Sequence, residues 1–331
     1  MSLETRRGTR GVPGVSPRRI LQRRTRADRV YRSITTGAGL LTLVILALIG
    51  LFLVVKAYPA LREAGWSFFT TTRWQPDGIG HHFGITAVLY WTVVISVISL
   101  IIAVPISIAA ALFINEYAPR RMQRWLISLI DLLAAIPSVI YGIWGLHYAE
   151  EHLVAVSAWL TDNLGFIPIF TTEGRNFAGS AFIVGLVLSL MVIPITTSVM
   201  REVFSQTPNG EKEAALALGA SRWGMIRTVV LPFGRGGIIG GSMLGMGRAL
   251  GETIVVALIA STVFTISPHI LQSGSNSVAA LIALQFAEAS QGRGIPALMA
   301  AGLALFVLTL LVNFAASFIV RRSRSGRGVE I

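Results

Sequence analysis

The chain has 331 residues, 53% hydrophobic and only 13% charged, with a mean hydropathy of +0.68. Soluble domains carry about 25% charged residues, so the composition excludes an ordinary soluble protein and points to an integral membrane protein. Cysteine is absent, which excludes a disulfide framework and a thiolate metal site.

The first 35 residues hold ten arginines between Arg6 and Arg32 and no apolar period. They read as a basic, largely disordered cytoplasmic arm (1–35), with a short basic helix near 20–32. Six apolar stretches follow, near 36–56, 85–113, 126–147, 178–200, 236–264 and 296–320. Each reaches the roughly 20 residues that cross about 30 Å of hydrocarbon as a helix. The first starts too far from the amino terminus and is too long for a cleaved signal peptide, and no small-residue cleavage site follows it. The expectation is an all-α polytopic membrane protein with six spans.

Basic residues set the orientation. Arg120, Arg121 and Arg124 follow span two; Arg201, Lys212, Arg222, Arg227 and Arg235 follow span four; Arg321, Arg322, Arg324 and Arg327 fill the tail at 321–331. The alternate loops hold Arg62, Arg73, Arg175 and Arg293. The positive-inside rule then puts both termini in the cytoplasm, which an even number of spans allows. The net charge of +12 is thus spent on topology and anionic lipid, and nucleic acid is not the partner.

Outside, segment 57–84 carries Trp66, Phe68, Phe69 and Trp74, aromatics suited to the membrane interface. Segment 148–177 contains EEHLVAVSAWLTDNLGF, read as a short helix lying on the surface. SVAALIALQFAEAS (277–290) has helical character but modest length, and reads as a re-entrant or interfacial helix. Pro105, Pro137 and Pro194 fall inside spans two, three and four, where proline kinks a helix; packing geometry and a hinge both remain open.

The loop REVFSQTPNGEKEAALALGASRWGMIRTVVLP (201–232) is too structured for a mere connector. Thr207 and Pro208 form a helix start, a hydroxyl N-cap followed by proline at the first position. Glu211 and Glu213 favour the helix dipole, KEAALAL is strong helix former, and Gly219 supplies a stop. Ser221 then caps a second short helix leading to Leu231-Pro232. Such a helix–turn–helix, exposing Ala214, Ala215 and Ala217, suits insertion into a groove on another protein.

Span five contains a puzzle. Arg248 and Glu252 stand one helical turn apart in an otherwise apolar stretch, where each charge costs about 2.5–3.5 kcal/mol. Their order is the weaker one for an i,i+4 pair, which leaves a structural tie to another helix or a role in a polar cavity. Gly237, Gly241 and Gly245 make a small-residue stripe that lets helices approach closely. Gly236, Gly240, Leu244, Arg248 and Glu252 form the adjacent stripe.

Glu213-Ala214-Ala215, Gly219 and Val229-x-Leu231-Pro232 reproduce the EAA loop of ABC-importer permeases, EAA-x3-G-x9-I-x-LP, with valine for isoleucine the only departure. INEYAPRRM (114–122), DLLAAIPSVIYGIWGL (131–146), the REVF start of the loop (201–204), GSMLGMGRALGET (241–253) and FAEAS (286–290) resemble the phosphate-importer permeases of PstC type. The likeness covers about 36–320, the expected permease domain. It implies a six-helix type I permease fold and a coupling loop whose Glu213, Ala214, Ala215, Gly219, Leu231 and Pro232 dock on an ATPase. It also implies a heterodimer with a homologous permease (PstA-like), two ATPase subunits (PstB-like) and an extracytoplasmic phosphate-binding protein (PstS-like) in a bacterial cell membrane.

The only lysines, Lys56 and Lys212, are not preceded by glycine, so there is no P-loop. No cofactor is expected on this chain, and ATP with Mg belongs to the partner ATPase. The likeness implies that Arg248 and Glu252 serve phosphate passage. A guanidinium grips phosphate oxygens in bidentate fashion and stays charged when desolvated. Glu252 either handles a proton or holds Arg248 in place. The rival readings are a permease for molybdate or sulfate and a proton-coupled secondary transporter. His81, His82, His147, His152 and His269 are too scattered for a metal site. Asp131 and Glu116 read as interfacial or loop-anchoring, and Asn115 and Ser138 as path-lining or packing residues.

Overall fold

The computed structural model describes residues 26–77, 83–289 and 292–323. Residues 1–25 of the expected arm, His81, His82 and the tail from 324 lie outside the described residues. Among the described residues the elements are helices, and the one extended pairing is an isolated bridge between Trp74 and Phe83. The chain divides into two units, Met1–Ile49 and Gly50–Ile331. The features that bear on function belong to the second.

Helix α1 (Arg26–Ala64) runs for 39 residues and contains the first expected span. It also takes in 26–35, which the sequence placed in the arm. Large apolar side chains from Val30 to Ile49 are exposed, the pattern of a helix solvated by lipid. Near its end Ala57 and Ala60 are buried in a cluster with Phe68, Phe83, Ile85 and Ala297.

Helix α2 (Thr86–Leu112) buries Ser96, Ser99, Ala103, Ser107 and Ala111 along one side. This is a small-residue seam that allows close backbone approach. The helix continues through a π-turn at Phe113–Tyr117. The third expected span is broken rather than kinked. Helix α3 (Arg120–Ala135) stops, Ile136 and Pro137 adopt extended ψ values of 127° and 140°, and helix α4 (Ser138–Trp144) begins. The two halves meet at 86°. Proline disfavours the α conformation in the residue before it and lacks the N–H to continue the helix. The Tyr141 hydroxyl donates to the freed Leu133 carbonyl at 3.1 Å, so the break leaves that acceptor satisfied. Helix α4 passes through a π-turn at Gly145–Ala149 into α5 (Glu150–Leu164). The expected separate surface helix is therefore the continuation of span three.

Helix α6 (Ala181–Ser205) starts where the Ser180 side chain accepts from the Ile183 N–H at 3.4 Å. It is the central post of the bundle, with Val184, Val187, Leu188, Val192, Thr196 and Met200 all buried. The seam of α2 lies on one side, where a Cβ on Gly185 would sit 2.7 Å from Ile98. Ser107 shares a short hydroxyl–hydroxyl hydrogen bond with Thr196 across this contact.

The loop after α6 forms helix α7 (Asn209–Ala217) and helix α8 (Arg222–Met225). A π-turn at Ile226–Val230 joins α8 to α9 (Leu231–Leu250) without interruption. Helix α9 lays its glycines on α6. A Cβ on Gly237, Gly241 or Gly245 would come within 2.5 Å of Val203, 3.2 Å of Met200 and 2.8 Å of Thr196 respectively. Helix α10 (Ile254–Ile259) packs on Gly142 and Gly145, where Cβ atoms would meet Leu258 at 2.7 Å and Ile259 at 2.5 Å.

Residues 260–277 run without helix, turning at Gly274 with φ +111°. Helix α11 (Val278–Gln285) has 8 residues, far short of the roughly 20 that span a bilayer. That length agrees with the re-entrant or interfacial reading. Helix α12 (Gly294–Ser323) closes the described chain. Among the described residues five helical stretches are long and apolar enough to cross a membrane, and the bent α3–α5 pair, counted as one span, makes six.

Valine at position 237 drives its methyls into Val203, and overpacking of this kind costs about 1–3 kcal/mol. In detergent-purified protein, Gly237→Val melts below wild type. Gly236→Ala, whose Cβ meets nothing within 4 Å, melts with wild type; tryptophan fluorescence on heating measures both.

Candidate translocation site and coupling loop

The charged turn of span five does not have the geometry that helical spacing predicts. Helix α9 ends at Leu250, and the Gly251 N–H reaches the Gly247 carbonyl at 3.3 Å. The Glu252 N–H bonds the Ala249 carbonyl at 3.4 Å, a tighter closing turn, and α10 starts only at Ile254. Arg248 is therefore in the last turn of one helix and Glu252 in the break before the next. Among the described residues no ion pair joins them. The expected common stripe is corrected accordingly: Gly240, Leu244 and Arg248 line one cavity, and Glu252 is absent from its lining.

That cavity has a volume of about 570 Å³ and lies between α6, α9 and α12, with Ile195, Met243, Gly247 and Asn313 as its other lining residues. Among the described residues Arg248 is the only ionisable one lining it, and Asn313 is the other polar side chain able to hydrogen-bond an anion. The Arg248 Nε is buried with no hydrogen-bond partner. A desolvated, unpartnered guanidinium N–H is costly. Arg248 also sits at a helix C-terminus, where the dipole favours a cation.

Glu252 is 8% exposed and turned to other work. Its Oε1 accepts from the Val255 N–H at 3.4 Å, and its carbonyl accepts from the Ser277 hydroxyl at 3.4 Å. Ser277 also caps α11 by accepting from the Ala280 N–H. Next to it, Asn276 is buried with its Nδ2 unpartnered. Glu252 thus ties the start of α10 to the start of α11. Asn276, Ser277 and Asn313 escape sequence reasoning because they lie far along the chain from the charged turn. Gly251 was the available signal, since glycine just past a turn carrying arginine marks a helix stop.

The loop at the other end of α9 is built as its spacing demands, with one change at the start. Pro208, with φ −59° and ψ 128°, takes the N-cap position of α7 without a side-chain cap. The Thr207 hydroxyl, expected to cap, is buried without a partner. The other end is a Schellman closure. The Ala220 N–H bonds the Ala215 carbonyl at 3.1 Å and the Gly219 N–H bonds the Leu216 carbonyl at 3.0 Å, with Gly219 at φ +86°. Ser221 then accepts from the Gly224 N–H at 3.1 Å and starts α8.

Glu213, Ala214, Ala217 and Gly219 are exposed, whereas Ala215 is half-buried against Met225 and Ile226. Leu218 is 90% exposed and Trp223 58%, an apolar display that favours a protein partner over water. Leu231 and Pro232 do not end the second helix, as the sequence reading had it. They lie inside a continuous stretch from Arg222 to Leu250. The π-turn just before Pro232 gives its ring room, and the Leu231 N–H bonds five residues back to Ile226.

Two residues read as loop anchors make specific contacts. Glu116 accepts from Lys212 of α7, and the Asp131 carboxylate meets the Ser198 hydroxyl at 3.5 Å. Asn115 donates to the Arg201 carbonyl at 2.7 Å, tying the end of α2 to the end of α6. Ser138 begins α4 directly after the Pro137 break.

Residues 103–325 match the family described as binding-protein-dependent transport system inner membrane component. The chain belongs to that family, and its all-α, multi-pass architecture is that of an importer permease. Within it, the likeness is to phosphate permeases. The phosphate transport system permease protein PstC 2 of Mycobacterium tuberculosis is 41% identical over 294 residues, covering 88% of this chain and 91% of that protein. PstC of Mycobacterium leprae is 40% identical over 294 residues, covering 88% and 92%. A solved bacterial alginate ABC transporter, in complex with its pentasaccharide-bound periplasmic protein, shares the fold. It has a TM-score of 0.56 and 18% identity over 90% of this chain and 97% of that one.

Alanine at 219 has to hold a left-handed backbone that costs a non-glycine residue about 1–2 kcal/mol. Gly219→Ala raises hydrogen exchange of the Gly219 and Ala220 amides. Exchange in α9 stays as in wild type.

Proposed function

We propose that this chain is one permease half of an ATP-driven importer that passes inorganic phosphate through a bacterial cell membrane. The observation that carries the reading is a continuous helix with a partner-ready loop at one end and, at the other, a half-buried arginine whose Nε has no hydrogen-bond partner. The stretch from Arg222 to Leu250 has 29 residues, about 43 Å at ~1.5 Å per residue. That length joins an element outside the membrane to a cavity within it.

Phosphate as cargo is supported by the names of the relatives and by the chemistry of Arg248. A planar, permanently charged fork matches phosphate oxygens, Arg248 lines the cavity, and its Nε has no hydrogen-bond partner. In this reading the cavity at α9 faces a homologous PstA-like permease, which completes the passage. Glu252 positions the break, and with it Arg248, rather than pairing with it.

The coupling loop, through Glu213, Ala214, Ala215, Gly219 and the exposed Leu218, docks on a PstB-like ATPase, two copies of which bind and hydrolyse ATP with Mg. A PstS-like binding protein delivers phosphate on the opposite face. Both termini are cytoplasmic by the distribution of arginine.

Cells that depend on this chain for phosphate report on the reading. Arg248→Gln loses labelled phosphate uptake by about tenfold or more, as expected for a lost charge-assisted contact in a desolvated site, while the ATPase subunit still co-purifies. Sulfate and molybdate in excess leave wild-type uptake unchanged. Near-normal uptake in the variant at wild-type abundance contradicts the role of Arg248, and competition by either oxyanion contradicts the cargo.

A further inference from the structure

Helix α7 has a second attachment that its family motif does not include. None of its residues is fully buried, and its main packing is against α8 and the π-turn that follows. Toward α2 it reaches out with one side chain. The Lys212 ammonium lies 2.5 Å from the Glu116 carboxylate, with side-chain exposures of 16% and 8%. The partners are 96 positions apart in the chain. Other ion pairs are of a different kind: Arg175–Asp162 and Arg293–Glu63 are well exposed, where such pairs contribute little.

The acidic partner is itself held firmly. Glu116 stands in the π-turn that ends α2, and the neighbouring Asn115 is bonded to the Arg201 carbonyl of α6. From that turn α2 runs along α6, and its Leu100 comes within 3.3 Å of where a Cβ on Gly245 would be. Gly245 is three residues from Arg248. A mostly buried ion pair tolerates one partner and one geometry, because removing either charge leaves the other desolvated and alone. An apolar contact at the same place would hold α7 with less directional constraint.

We propose that Lys212–Glu116 is a coupling strut, which makes the docking helix and the end of α2 move together. Displacement of α7 then reaches the cavity along α2 as well as along α9. Lys212 and Glu116 are positioning residues in this proposal, which rests on the reading of the loop as the ATPase dock.

The test uses the assembled complex in proteoliposomes, with ATP hydrolysis and labelled phosphate accumulation measured side by side. Wild type without ATP-driven accumulation overturns the functional reading itself, which separates that failure from failure of the strut. Glu116→Gln, outside the docking face, retains the ATPase and its hydrolysis but moves about tenfold less phosphate per ATP. The charge-swapped pair Lys212→Glu with Glu116→Lys recovers at least about half of the wild-type ratio. If the single variant folds poorly, Lys212→Met with Glu116→Leu restores stability by apolar contact and still shows the low ratio. A wild-type ratio in Glu116→Gln or in the apolar pair overturns the strut, as does a charge swap no better than the single variant.

Discussion

The close approach of α9 to α6 is the constraint on which the rest depends. At Gly237 and Gly245 there is no room for a Cβ beside Val203 and Thr196, and at Gly241 a Cβ would be tight against Met200. With α2 laid against both α6 and α9, through a seam that includes Ser107 and with Leu100 close to Gly245, three backbones are brought together with little intervening side chain. Without a hydrophobic force between helices in lipid, packing and interhelical hydrogen bonds hold such a contact. The Ser107–Thr196 bond is one of these. Because α9 is fixed in depth and rotation by this seam, Arg248 three residues past Gly245 has a fixed place.

Two breaks shape what surrounds that place. Pro137 turns span three through 86°, and Gly251 ends α9 inside the stretch that hydropathy reads as one span. Each break exposes backbone groups, and each is repaired by a side chain from nearby. Tyr141 serves the Leu133 carbonyl, and Ser277 serves the Glu252 carbonyl. Irregular backbone at membrane depth is tolerated where protein or a polar cavity satisfies it. The break after Gly251 lies beside a cavity of about 570 Å³, and the repair brings the residue that starts α11 to the break.

The number of spans, the short helix after span five and the helical build of the EAA loop were legible because each rests on local patterns. Hydropathy windows, a proline–glycine frame around KEAALAL and a complete motif spacing all act within about thirty residues. The end of α9 was hidden because hydropathy continues past Gly251 into IVVALI (254–259), so a helical period fitted Arg248 and Glu252 equally well on either assumption. The Thr207 cap failed because Pro208 itself takes the extended N-cap conformation. The Lys212–Glu116 contact had no sequence signal, since a single lysine and a single glutamate 96 positions apart have no shared period. Asn276 and Asn313 were invisible for the same reason: tertiary approach alone gives them a role.

The central claim is that phosphate passes this chain at the expense of ATP, with Arg248 in the path and the EAA loop as the link. Accumulation of labelled phosphate by proteoliposomes containing the purified complex and its binding protein tests it most directly. The account predicts accumulation that requires ATP on the coupling-loop side and persists when the pH gradient is collapsed. Accumulation driven by a pH gradient without ATP would contradict it.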